Sequence, residues 1–251
     1  MVTWTKHEDI WDEAAAASYD TPGTGMFAPE VLEPAVERLA ALAEGGAALE
    51  FAIGTGRIAI PLRQRGVPVA GIEIASAMLA KLRTKADEAA IPVVLGDMTT
   101  ATVPGRFSLV FLVFNGISNV ETQTEQIECF HNAARHLGPG GRFVIELWVP
   151  ELPQRTVAAK ANVVRAEDGY VLVDTVDVLA QHVVSHHFRF GPEGEAATLF
   201  RSAHRYVWPA ELDLMAKLAG FDLETRHADW RGSPFDAAST GHVSVYRLAG
   251  G

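Results

Sequence analysis

From residue 47 to residue 147 the sequence alternates short apolar runs with helical stretches, and glycines punctuate the joints. The runs lie at 47–53, 67–74, 92–95, 107–114 and 142–147, with helices read at 57–65, 76–90 and 122–137. Apolar runs this short, bounded by turn residues, read as strands buried on both faces. Strands of that kind, separated by helices, require a parallel sheet with helices on both sides. Two further helices precede the pattern, at 8–19 and 29–43, divided by Pro22-Gly23-Thr24-Gly25. It resumes near the end with a helix at 209–219, Gly220 as its C-cap, and strands at 221–226 and 242–247. The expected fold class is therefore α/β, a Rossmann-like doubly wound sheet of seven strands.

Beyond Pro150 the texture changes. Residues 171–179, 182–190 and 197–206 alternate apolar and polar side chains, and Gly191-Pro192-Glu193-Gly194 separates the last two runs. Period-two alternation predicts half-exposed antiparallel strands. Residues 1–150 and 207–251 are thus assigned to the Rossmann-like domain, and 151–206 to a small antiparallel β insertion. Exposed strand edges favour pairing between subunits, so the insertion reads as a lid, a homodimer surface, or both.

Composition narrows the partners. A formal charge of −10 opposes binding to nucleic acid, which depends on neutralising phosphates with Lys and Arg. A single cysteine, Cys129, excludes an intramolecular disulfide and a thiolate-rich metal site, and fits a reducing cytoplasm. Residues 1–10 carry Lys, His, Glu and Asp without an apolar core, so no signal peptide is read there. Apolar runs such as 109–114 are too short to span a bilayer. A cytoplasmic protein without membrane or nucleic-acid partners is expected.

The most informative stretch is Leu49-Glu50-Phe51-Ala52-Ile53-Gly54-Thr55-Gly56-Arg57. A strand that turns through glycines into a helix brings backbone N–H groups, backed by the helix dipole, close to a ligand. Glu73 follows Gly54 at a separation of 19 residues, at the end of the second strand. An acid placed there can accept hydrogen bonds from both hydroxyls of a ribose. The plain alternative is an ordinary tight turn and a solvated glutamate. Gly54-Thr55-Gly56-Arg57-Ile58-Ala59 also satisfies a dinucleotide pattern with Ala in third place, which leaves an NAD(P)-dependent oxidoreductase as an alternative. Three features oppose it: Glu50 would repel a pyrophosphate, the loop follows two helices, and no tyrosine is followed four residues later by lysine.

On these residues the chain resembles the class I S-adenosylmethionine-dependent methyltransferases over nearly its whole length. Their opening motif, an acid and then three alternate glycines, reads here Glu50, Ala52, Gly54, Gly56, with Ala52 in place of the first glycine. The resemblance implies S-adenosylmethionine as cofactor, S-adenosylhomocysteine as product and no metal. It implies that Glu73 binds the ribose and that Ile74 and Met78 flank the adenine. Gly96-Asp97-Met98 resembles the third-strand motif, whose carboxylate meets the adenine amino group. Residues 107–115, ending in Phe114 and Asn115, resemble the fourth-strand motif that passes the sulfonium. Leu137-Gly138-Pro139-Gly140-Gly141 resembles the turn before the fifth strand, and the family's last strand runs antiparallel. Tyr19-Asp20, Glu146-Leu147-Trp148 and the insertion before Trp208-Pro209 are similar to the small-molecule branch, including amino-sugar N-methyltransferases and related natural-product enzymes. The implied reaction is in-line methyl transfer to N, O or C of a small metabolite, with a non-catalytic S-adenosylmethionine-binding protein as the rival.

Methyl transfer from a sulfonium depends chiefly on alignment and exclusion of water, and a base is required only if the acceptor must lose a proton. Tyr19 reads as a lid over cofactor and substrate or as helix-end packing. Trp148, just past a strand end, reads as acceptor-pocket lining or as a core cap. Glu146 is a candidate to receive a proton or hold an amine, or simply a paired strand-end carboxylate. Of His182, His186, His187 and His204, the last is the candidate base; surface or cross-strand pairing is the plain reading for each. No pair has metal-ligand context, and Asp174 and Asp177 face opposite sides of a strand.

Overall fold

The computed structural model describes residues 11–151, 161–191 and 196–250. Segment 1–10, the beginning of the first expected helix and most of the 191–194 turn lie outside them. The described helices are α1 (Glu13–Tyr19), α2 (Pro29–Leu42), α3 (Ala59–Gln64), α4 (Ser76–Arg83), α5 (Gln123–His136) and α6 (Pro209–Leu218). The described strands are β1 (Ala48–Phe51), β2 (Val69–Glu73), β3 (Val93–Leu95), β4 (Phe107–Leu112), β5 (Leu137–Trp148), β6 (Ala161–Glu167), β7 (Tyr170–Asp177), β8 (His182–Arg189), β9 (Thr198–Arg205), β10 (Phe221–His227) and β11 (Gly241–Leu248).

Seven strands form one sheet in the order β10-β11-β5-β4-β1-β2-β3. β1 pairs in parallel with β2 and β4, whereas β11 runs antiparallel to both β5 and β10. Every residue of β1 and β2 is buried, as the continuous apolar runs require. The period-two pleat divides β4 between two cores. Val110 and Leu112 pack with Phe130 of α5 and Met215 of α6, whereas Leu109 and Phe111 pack with Leu39 of α2 and Leu62 of α3. Burying each such side chain contributes about 1.5–3 kcal/mol.

Two boundaries differ from expectation. The helix expected over 76–90 ends at Arg83. Arg83 Nη1 donates to the carbonyls of Ala86, Asp87 and Ile91, and Asp87 Oδ1 accepts from the Ala90 N–H at 2.7 Å, so side chains close a loop where the helix would have continued. The glycine-rich turn at 138–141 is a bulge within β5. Phe107 pairs with Leu137 and Leu109 with Arg142, so residues 138–141 are looped out of the ladder.

The insertion is a separate antiparallel sheet in the order β6-β7-β8-β9. It contains one strand more than the alternation indicated, because β6 is exposed along nearly its whole length and shows no apolar face. Its register sets Asn162, Asp174, Ser185 and Ser202 in one row, and Val176, Val183 and His204 in another. Among the described residues, no helix is long and apolar enough to cross a membrane.

Candidate active site

A cavity of about 1240 Å³ lies between the C-terminal ends of β1, β2, β4 and β5 and one face of the β6–β9 sheet. A single small-molecule pocket occupies roughly 300–1,000 Å³, so there is room for a donor and an acceptor together. Strand ends of an open α/β sheet are where such folds bind ligands.

The glycine loop forms one end. Gly54 and Gly56 have positive φ, and so does Ala52, at +51°. A side chain in this left-handed region costs about 1–2 kcal/mol, so Ala52 keeps the backbone path of a glycine at an energetic cost. Glu73 Oε2 accepts the Gly54 N–H at 2.7 Å, and Oε1 accepts that of Ala75 at 2.8 Å. Burial raises the Glu73 carboxyl above its ordinary range, while the N–H groups of Ala75, Gly54 and Ile74 pull it back. Glu50 is only 3 % exposed, and its Oε2 has no hydrogen-bond partner. Burial pushes its carboxyl well up, opposed by the nearby Arg57 charge and assisted by Glu73. Ile74, Met78, Asp97 and Met98 continue this wall; Asp97 Oδ1 accepts from the Thr99 N–H and hydroxyl.

α1 covers the loop from outside. Asp20 accepts from the Thr55 hydroxyl at 2.6 Å and pairs with Lys85 at 2.7 Å, tying the helix end to the loop and to the turn after α4. Tyr19 lines the cavity, with its ring edge-on to Trp11 and Phe27. Burial raises its hydroxyl above the ordinary tyrosine range.

At the end of β4, Phe114 and Asn115 are both left-handed, with φ of 52° and 61°. Two consecutive strained non-glycine residues persist only where their surroundings enforce them. Here Glu146 Oε2 accepts the Phe114 N–H at 2.8 Å, and Oε1 accepts the Trp230 indole N–H at 2.7 Å. Asn115 Oδ1 accepts the Trp148 N–H at 2.8 Å. Phe114 and Asn115 line the cavity, and the Arg57 guanidinium sits 5.3 Å from the Phe114 ring centroid.

Two expected site residues fall outside the lining. Glu146 spends its carboxylate on Phe114 and Trp230, so it shapes the strained turn from behind. Gly56 is needed for packing: a Cβ there would clash with Leu82 Cδ1, at a φ of +82°. Glu50, Ala52, Gly54, Glu73, Ile74, Met78, Asp97, Met98, Phe114, Asn115, Tyr19, Trp148 and His204 all border the one cavity.

The other end combines Trp148 with the inner face of the insertion. His204 lines it, and its Nε2 lies 3.1 Å from Ser202 Oγ. His182, His186 and His187 instead meet the Glu121 carbonyl, Thr175 and Tyr170. Sequence reasoning missed Ser118, Asp174 and Ser185, which also line this end. Asp174 and Ser185 carried a usable signal, since they lie on strands that the apolar–polar alternation indicates. Ser118, in the helical turn Gly116–Asn119, carried none. Among the described residues, no group of three or more His, Cys, Asp or Glu could hold a metal ion.

Residues 48–141 match the family model for a methyltransferase domain. The chain is 40% identical to the CcbJ methyltransferase of Streptomyces caelestis, whose structure aligns over 86% of this chain and 88% of that one with a TM-score of 0.77. It is 26% identical over 239 residues to the cypemycin N-terminal methyltransferase of a Streptomyces species, covering 92% of this chain and 94% of the relative. It is 31% identical over 154 residues to the dTDP-3-amino-3,6-dideoxy-alpha-D-glucopyranose N,N-dimethyltransferase of Streptomyces fradiae, 60% of this chain and 53% of the relative.

Proposed function

Because the chain belongs to the S-adenosylmethionine-dependent methyltransferases of small-molecule type, we propose that its methyl acceptor is an aliphatic amine nitrogen, held end to end with the donor in the one cavity. The observation that carries the donor half of this reading is the buried, unpartnered Glu50 Oε2 on the cavity wall. A buried carboxylate oxygen without a donor calls for a cationic ligand group, and the donor's ammonium is one. Glu73 would accept from the ribose hydroxyls, Asp97 from the adenine amino group, and Ile74 and Met78 would flank the ring. S-adenosylmethionine, when bound, supplies a methyl group activated by a sulfonium. The amine reading takes its support from the two curated relatives above, one named for an N-terminal amine and the other for an amino sugar.

The chain's own work is positioning. Phe114 and Asn115, fixed by Glu146 and Trp148, present a rigid turn where donor and acceptor meet. Tyr19 above and the insertion opposite keep water away. An aliphatic amine is protonated at neutral pH and must lose its proton before its lone pair attacks; His204 is the cavity-lining group proposed to receive it. No step of this reading uses a metal. The three relatives described above are named as methyltransferases, which supports methyl transfer over the oxidoreductase alternative. We further propose a cytoplasmic homodimer joined through the insertion, without nucleic-acid or membrane partners; light scattering at twice 27.0 kDa would support the dimer, and a monomer would remove it.

Methyl-labelled S-adenosylmethionine, offered with paired amines and their alcohol analogues, tests the acceptor chemistry. Label in the amines supports nitrogen transfer, and label only in alcohols or on carbon contradicts it.

A further inference from the structure

We infer that the acceptor end of the cavity selects a cationic amine and rejects a diphosphate-linked one, with Asp174 and Ser118 as the specificity-determining contacts. This rests on the amine reading above and names the substrate class within it.

Charge is the first ground. Glu121, Glu125, Glu151 and Asp174 line this end. Among the described lining residues the only Lys or Arg is Arg57. It follows the glycine loop, is bonded to the Met26 carbonyl and lies over the Phe114 ring rather than among the carboxylates of the insertion side. Carboxylate walls attract an ammonium and repel phosphate, and a site discriminates as much by what it repels as by what it attracts. A diphosphate entering here would meet carboxylates such as Asp174 and Glu151 and, among the described lining residues, no fork of cationic donors.

Unsatisfied bonding capacity is the second ground, and it is independent of charge. Ser118 is 1 % exposed, lines the cavity, and its Oγ has no hydrogen-bond partner. A buried hydroxyl left unmade is costly, and a ligand that bonds it recovers that cost. On the insertion's side of the same cavity, Asp174 accepts from the Ser185 hydroxyl at 2.7 Å through Oδ1. Its second oxygen takes no partner among the described residues. The register sets Asp174 between Asn162 and Ser185, so the row offers a carboxylate flanked by neutral polar groups. The amino-sugar relative is named for a dTDP-linked acceptor; among the described residues, this end of the present cavity presents carboxylates and no Lys or Arg.

The test is equilibrium binding to the full chain saturated with S-adenosylhomocysteine. The probes are tryptamine, its neutral isostere tryptophol, and thymidine diphosphate. The expected order places tryptamine tightest, with thymidine diphosphate weakest. Asp174→Asn should weaken tryptamine about tenfold or more while changing tryptophol little. Ser118→Ala should weaken both amine and alcohol. S-adenosylhomocysteine affinity should stay at its wild-type value in both variants, which also shows that they fold. Thymidine diphosphate binding as tightly as tryptamine, tryptamine failing to bind, or unchanged tryptamine affinity in Asp174→Asn would each overturn the inference. Failure of the wild type to bind S-adenosylhomocysteine would instead strike the methyltransfer reading beneath it.

Discussion

Glu73 and Gly54, on different strand–helix units, are joined by a 2.7 Å hydrogen bond from the Gly54 N–H to the Glu73 carboxylate. The second carboxylate oxygen holds the Ala75 N–H, so one buried acid fixes both the loop after β1 and the turn after β2. The carboxylate is thus in place before any ribose reaches it.

Removing that acid should therefore hurt twice. Glu73→Ala is expected to weaken S-adenosylhomocysteine binding by roughly 1–3 kcal/mol, the range for leaving polar partners unpaired. Calorimetric titration checks it, and an unchanged affinity would take Glu73 out of the ligand site.

Glu50 gives a pH signature. Its folded carboxyl titrates well above the ordinary range because burial disfavours the charged form. The folded protein then binds a proton that the unfolded chain has already released, so unfolding releases that proton. Its contribution is fully present below the ordinary carboxyl range and is lost as pH rises through the raised value. Glu50→Gln should consequently stabilise the ligand-free protein toward neutral pH relative to wild type, while weakening S-adenosylhomocysteine binding. Denaturant melts between pH 4 and pH 8 check the sign; a variant advantage that grows toward acid would refute it.

Ala52 carries strain that a glycine would relieve. Ala52→Gly is expected to stabilise by about 1 kcal/mol, seen as a rise in Tm of about 2–4 °C. No change would mean that the strain relieved is no larger than the unfolded-state entropy that glycine adds.

Glu146 and His204 should separate by pH profile. Glu146→Ala leaves the Phe114 and Trp230 donors unpaired and should lower kcat at every pH without moving the profile. His204→Ala should lower the rate most at acid and neutral pH, with recovery as pH rises toward the amine's own range, if the imidazole takes the ammonium proton. A rate unaffected at every pH would dismiss His204 as base.

Strands β1, β2 and β4 were readable because burial on both faces writes an apolar run, and Glu50 and Glu73 because the loop fixes their spacing. β6 was not, since an exposed edge strand needs no apolar face. Residues 138–141 contain turn residues, yet whether glycines make a turn or a bulge is decided by the partner strand. For Glu146 the sequence left proton acceptor, amine holder and paired strand-end carboxylate open, because its partner Trp230 is 84 residues away in sequence. Ser118 was invisible for a related reason: a serine signals nothing until the fold buries it beside a cavity.

The most direct measurement is a crystal structure of the full chain with S-adenosylhomocysteine bound. The ribose hydroxyls should rest on Glu73, the amino group on Glu50, and the sulfur should face Phe114 and Asn115 toward the insertion. A ligand bound elsewhere, or a loop at 52–56 filled by side chains, would contradict the assignment of this site.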